Sequence, residues 1–222
     1  MPDSASRPRW PEGSDARATH AVALWLALLA LLLLSRFLLF PVLHGLAAPI
    51  DLVLYFGGLI WLLMIRAGRL GARDLGITAA GVGREAVLGI VGAAIITALL
   101  LAWIAIIDGA GEARETIAQL ASYGAGQRLG FLAFGLLAAT GEELLYRGYV
   151  QPALMARLGA VTGLVLTMVM FQVGHYTTWP TVSRIGALAI LGLGFGVLRW
   201  RHRPLIAPWV AHVLVWFVWG NA

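Results

Sequence analysis

Residues Arg84–Ile107 read REAVLGIVGAAIITALLLAWIAII, and beyond Glu85 this stretch carries no charged side chain. A helix rises about 1.5 Å per residue, so a run of this length crosses a hydrocarbon core about 30 Å thick. No apolar–polar alternation of a barrel strand appears, and backbone polar groups must be paired within lipid, so the stretch is predicted to be a transmembrane helix. Six comparable runs lie around it, at Ala21–Phe40, Ile50–Ile65, Arg128–Arg157, Ala160–Thr178, Ile185–Arg199 and Pro204–Trp219. The expectation is an all-α, polytopic membrane bundle of about seven transmembrane helices. Composition agrees: 60% of the 222 residues are apolar, 12% are charged and the mean hydropathy is +0.84. A soluble globular domain carries far fewer apolar residues.

Outside the spans, residues 1–19 are rich in Pro, Ser, Asp and Arg and read as a disordered polar arm, leaving residues 20–222 as one membrane-embedded domain. The run from Ala21 is read as a retained helix rather than a signal peptide, because no small-residue cleavage site directly follows it. Between the third and fourth spans, residues 108–127 mix Asp108, Glu112, Arg114 and Glu115 with Ile117, Leu120 and Ala121, the pattern of a weak interfacial helix. The formal charge of +5 comes from arginines beside apolar spans, not from a basic face with interleaved aromatics, so nucleic acid is not an expected partner. With no cysteine, disulfides, thiolate metal ligands and a cysteine nucleophile are excluded.

The arginines carry topology information. Arg7, Arg9, Arg17, Arg66, Arg69, Arg73, Arg84, Arg157, Arg199, Arg201 and Arg203 fall on one side of the predicted spans, and Arg36, Arg114, Arg128 and Arg184 on the other. Positively charged loops stay inside, so the N-terminus is expected in the cytoplasm and the C-terminus outside a cell membrane, the inner membrane of a bacterium.

Within the fourth span, GLLAATGEELLYRGYVQPALMARLG (Gly135–Gly159) places Glu142, Glu143 and Arg147 among apolar residues. Each charge at the centre of a membrane helix costs about 2.5–3.5 kcal/mol, so these groups should face protein or a wet cavity. Glu143 and Arg147 are four apart, acid first, and can pair on one helical face. Glu142 points about 100° away, is not neutralised by that pair, and is the candidate general base. A bland alternative makes all three a salt bridge that holds helices together. The fifth span brings Phe171 and His175 onto one face. If it forms a hairpin with the fourth, turning near 157–160, Glu142 and His175 each lie about 22 Å from the turn and can meet. His212, in APWVAHVLVWFVWG (Ala207–Gly220), adds a third ionisable group, about 12 Å from Pro204, so tilt or a shorter last span must bring it to the same depth. His20, His44 and His202 sit at predicted ends and need no special role. Gly192 and Gly196 in GLGFG have small-xxx-small spacing, which permits close helix packing rather than phosphate binding.

Glu142-Glu143-x-x-x-Arg147, then Phe171-x-x-x-His175, then His212 in a later span resembles the CAAX-protease and bacteriocin-processing family of intramembrane peptidases, also called the Abi family. The resemblance covers about residues 129–219. It implies an endopeptidase acting on a membrane-associated or lipid-linked protein or peptide. It further implies that Glu142 and His175 activate water, that Glu143 and Arg147 support them, and that His212 stabilises the oxyanion. The family carries Asn or Asp four residues after that histidine, whereas this chain has Trp216. Asn221, nine residues from His212, has the wrong spacing for the same face. The resemblance implies no metal cofactor, the alternative being zinc held by Glu142, His175 and His212. A non-catalytic scaffold or transporter is the rival of another class.

Overall fold

The computed structural model describes residues 14–34, 72–175, 181–202 and 204–220. The expected second span, Ile50–Ile65, lies outside the described residues, as does Asn221. Among those described, the chain is all helix and turn: α1 (Ser14–Leu34), α2 (Val82–Ile107), α3 (Ala110–Ser122), α4 (Ala125–Leu158), α5 (Ala160–His175), α6 (Val182–His202) and α7 (Ile206–Trp219). α1, α2, α4 and α6 are long and apolar enough to cross a membrane, and α5 and α7 are shorter apolar helices. The protein is a multi-pass helical membrane bundle. Val87, Ile90, Val91, Ile95 and Leu99 of α2 are exposed, as residues that meet lipid tails rather than water should be.

The polar arm ends earlier than its composition predicts, because α1 begins at Ser14. Asp15 in its first turn pairs with Arg157 Nε (2.6 Å), and Ala18 and Ala21 are buried, so packing extends the helix into a stretch that composition alone leaves unfolded. α3 occupies the place of the interfacial helix, with Ala113 and Leu120 turned inward.

Two apolar layers flank the centre. One is formed by Leu24, Leu28 and Leu32 of α1 with Tyr149, Val150 and Leu154 of α4 and Met170 and Phe171 of α5. The other joins Ala93, Ile96 and Leu100 of α2 to Phe195 of α6 and Ala211, Val215 and Trp219 of α7. The α4–α5 hairpin turns at Gly159, whose φ of +87° lies in the left-handed region that favours glycine. The crossing just beyond it is tight: a Cβ on Gly163 would lie 2.4 Å from the backbone nitrogen of Met155.

α7 is recessed. Leu205 N–H donates to Gly76 O (2.8 Å), and Gly89 lies against the carbonyl of Ala207, about 10 Å along α2 from Val82. A last helix that starts inside the bundle supplies the depth that His212 lacks when counted from Pro204.

Candidate active site

α4 changes winding at its centre. Up to Glu142 it is α-helical, Glu143–Val150 is π-helical, and the α form resumes at Gln151. A π turn widens the helix and loosens its ladder, a distortion often found at functional sites. Here it puts Arg147 and Gln151 in register with α6. Arg147 Nη2 donates to Gly192 O (3.2 Å) and Gln151 Nε2 to Gly196 O (2.9 Å). The Arg147 carbonyl, within the π segment, accepts from Arg199 Nε (2.8 Å). Gly192 and Gly196 do pack closely, against Met168 and Leu164. Their bare carbonyls do a second job that small-residue spacing does not announce.

Glu143 and Arg147 are both fully buried and form an ion pair (Arg147 Nη1 to Glu143 Oε1, 3.2 Å). The guanidinium lies over the Phe171 ring at 4.5 Å and near the Phe195 ring at 5.4 Å. A charge this deep is tolerated because it is paired and faces π-electron density on two sides.

Glu142 turns the other way, toward two imidazoles. Its Oε2 is 3.3 Å from His175 Nε2 and 3.8 Å from His212 Nε2, and it is buried without a hydrogen-bond partner among the described residues. Each histidine is oriented by its other nitrogen. His175 Nδ1–H donates to Phe171 O (2.7 Å), and His212 Nδ1–H to Glu143 Oε1 (2.8 Å). The Phe171 ring is 4.2 Å from His175, and Phe195 stacks on His212 at 4.4 Å. Both Nε2 atoms are thereby aimed at Glu142. A buried carboxylate oxygen without a donor of its own, between two ring nitrogens, is suited to a polar ligand such as water.

A cavity of about 610 Å³ reaches this cluster, with Phe171, His175, His212 and Trp216 in its wall. The structure therefore gathers Glu142, Glu143, Arg147, Phe171, His175 and His212 into one cluster. Trp216 stands apart from the carboxylates. Its ring meets Phe134 edge-on at 4.9 Å, its Cβ lies against Gly135, and its indole N–H makes no hydrogen bond among the described residues.

Sequence reasoning missed Gln151, Phe195 and the tie from Trp209 Nε1 to Thr140 Oγ1 (2.9 Å), which holds α7 against α4. Gln151 had a signal: it follows Arg147 by four residues, as Gly196 follows Gly192. Among the described residues, no three His, Asp or Glu side chains converge in the manner of metal ligands.

Residues 124–218 match the sequence model of a family described as type II CAAX prenyl endopeptidase, Rce1-like. The match opens at the start of α4, closes in α7 and contains every residue of the cluster. No curated protein and no solved structure matches the chain. Over residues 124–218 the chain is therefore similar to the Rce1-like type II CAAX prenyl endopeptidases, in line with the resemblance that its ordered motifs carry.

Proposed function

We propose that the chain is an intramembrane endopeptidase of the glutamic type, cleaving a membrane-associated or lipid-linked protein. The observation that carries this is Glu142 Oε2, buried beside His175 Nε2 and His212 Nε2, the two histidines that line the cavity. His175 spends its ring N–H on Phe171 O, so Nε2 of the neutral ring is an acceptor facing another acceptor at 3.3 Å. A water beside the pair, within reach of both atoms, can donate to each. Glu142 takes its proton, the oxygen attacks the scissile carbonyl, and the carboxyl passes that proton to the leaving nitrogen as the C–N bond breaks. His212, held through Nδ1 by Glu143, presents Nε2 to the developing oxyanion. Trp216 occupies the position of the family's second donor, and its unused indole N–H is the group that can replace it.

The test is a proteoliposome assay on a prenylated peptide, following the new C-terminus by mass spectrometry. Glu142→Gln, which keeps the shape and removes the charge, should leave no cleavage. A wild-type rate in that variant would sink the mechanism. Loss of activity on chelation together with stoichiometric zinc would instead favour a metallopeptidase using Glu142, His175 and His212. The departure at Trp216 favours a second reading, a non-catalytic scaffold or transporter. That reading gains if Glu142→Gln keeps the cellular role intact.

The arginine distribution supports a cytoplasmic N-terminus and an outer C-terminus in a bacterial inner membrane. Asp108, Glu112 and Gly220 line the cavity, which supports an opening on the face where α7 ends. In that orientation substrate enters from outside.

A further inference from the structure

Among the described residues, Arg184, in the first turn of α6, is the one arginine in the cavity wall. Other arginines of the bundle are engaged: Arg147 with Glu143, Arg157 with Asp15, and Arg128 with Leu120 O and the face of Phe217. Arg184 forms no ion pair among the described residues. It donates once, from Nη2 to the carbonyl of His175 (3.1 Å). A guanidinium has five N–H groups, so most of its donors are uncommitted.

The turn that carries it is fixed from three directions. Trp103 Nε1 donates to Ser183 O (2.8 Å), Ser183 Oγ to Asp108 Oδ2 (2.5 Å) and Gln172 Nε2 to Ile185 O (3.3 Å). The charge is therefore held in place beside the last residue of α5, which is His175 itself. The other charged residues of the wall, apart from the histidines, are Asp108 and Glu112, which repel an anion. Elsewhere the wall is largely apolar. An anionic group entering this cavity has one favourable place to stop.

We propose that Arg184 is a specificity-determining residue, taking a carboxylate of the substrate, either its C-terminal group or an Asp or Glu side chain, next to the scissile bond. The proposal rests on the reading of this cavity as the peptidase site. A planar fork suits a carboxylate better than a point charge does, and such a contact fixes how far along the chain the cut falls. The plain alternative is that Arg184 only caps the C-terminal carbonyls of α5. Capping needs one N–H, which glutamine also supplies, so the alternative predicts no loss of carboxylate preference in Arg184→Gln.

The experiment uses the full chain in nanodiscs with Glu142→Gln, so that binding is read without turnover. The probe is one prenylated peptide in three forms: free acid, C-terminal amide, and amide with a glutamate beside the C-terminus. The free acid should bind about 10- to 100-fold more tightly than the neutral amide, the range for a hydrogen-bonded charge. Adding Arg184→Gln should bring that ratio close to one, and Arg184→Lys should leave it intermediate. Tight binding of the glutamate amide assigns the carboxylate to a side chain, and its failure assigns it to the C-terminus. Equal binding of all three forms, or a carboxylate preference that survives Arg184→Gln, overturns the proposal. If the wild-type chain still cleaves the neutral amide, the peptidase reading stands without it. If no form is bound and none is cleaved, both fall.

Discussion

Glu142 and Glu143 are neighbours in sequence with opposite surroundings. Glu143 is enclosed by Arg147 and His212, whereas Glu142 faces the Nε2 atoms of His175 and His212. This division was legible in the sequence, because an arginine four residues on can absorb only one of two adjacent acids. The roles of Phe171 were not: its ring lies under the Arg147 guanidinium and its carbonyl sets the tautomer of His175. Main-chain acceptors carry no side-chain signature, so a residue that acts through its carbonyl is invisible to motif reading. If Glu142 and His175 activate one water, Glu142→Gln and His175→Ala should each abolish cleavage, and the double variant should be hardly worse than either. Additive losses in single-turnover assays would separate the two residues. Trp216→Phe keeps the edge-on contact with Phe134 and removes only the indole N–H. Turnover should drop about 10²–10³-fold if that N–H serves the oxyanion, with folded yield near wild type. An unchanged kcat would leave Trp216 a packing residue.

At the scale of helices, hydropathy located the spans because the cost of burying charge in lipid is averaged over about twenty residues. It was blind to winding. The π-helical Glu143–Val150 has no compositional mark, yet it brings Arg147 and Gln151 opposite Gly192 and Gly196. Boundaries moved where packing overrode composition, as at Ser14, where α1 enters the expected arm, and at Ile206, where the recessed α7 starts later than Pro204. Arg147→Ala would leave Glu143 buried without its ion-pair partner, a loss of about 3–5 kcal/mol for a broken buried pair. It should reduce the folded yield in membranes well below that of Glu142→Gln, and equal yields by size-exclusion chromatography would argue against the pairing. Gly135→Ala tests the α4–α7 crossing, since its Cβ would sit 2.6 Å from Trp216 Cβ. Overpacking of this kind costs about 1–3 kcal/mol, and the thermal midpoint should fall accordingly.

For the whole molecule, the bundle and its membrane setting were legible from composition alone, but which helices touch was not, because every apolar face looks alike in a sequence. The cavity is a product of those contacts, drawing its wall from α2, α3, α5, α6 and α7. Orientation is testable directly. A reporter active only outside the cytoplasm should report when fused after Ala222 and stay silent when fused at Met1. The reverse pattern would put the cavity mouth on the cytoplasmic face. The two bonds from Arg147 and Gln151 to bare glycine carbonyls also have a mechanical consequence. They act as pegs in a doorframe: α4 and α6 cannot slide past one another by a turn without stranding two buried polar side chains in hydrocarbon. If the proposed lipid-tailed substrate enters sideways, an element other than this pair has to move. Of the cavity wall, α6 alone carries the pegs; α3, running between Gly109 and Gly124, carries neither.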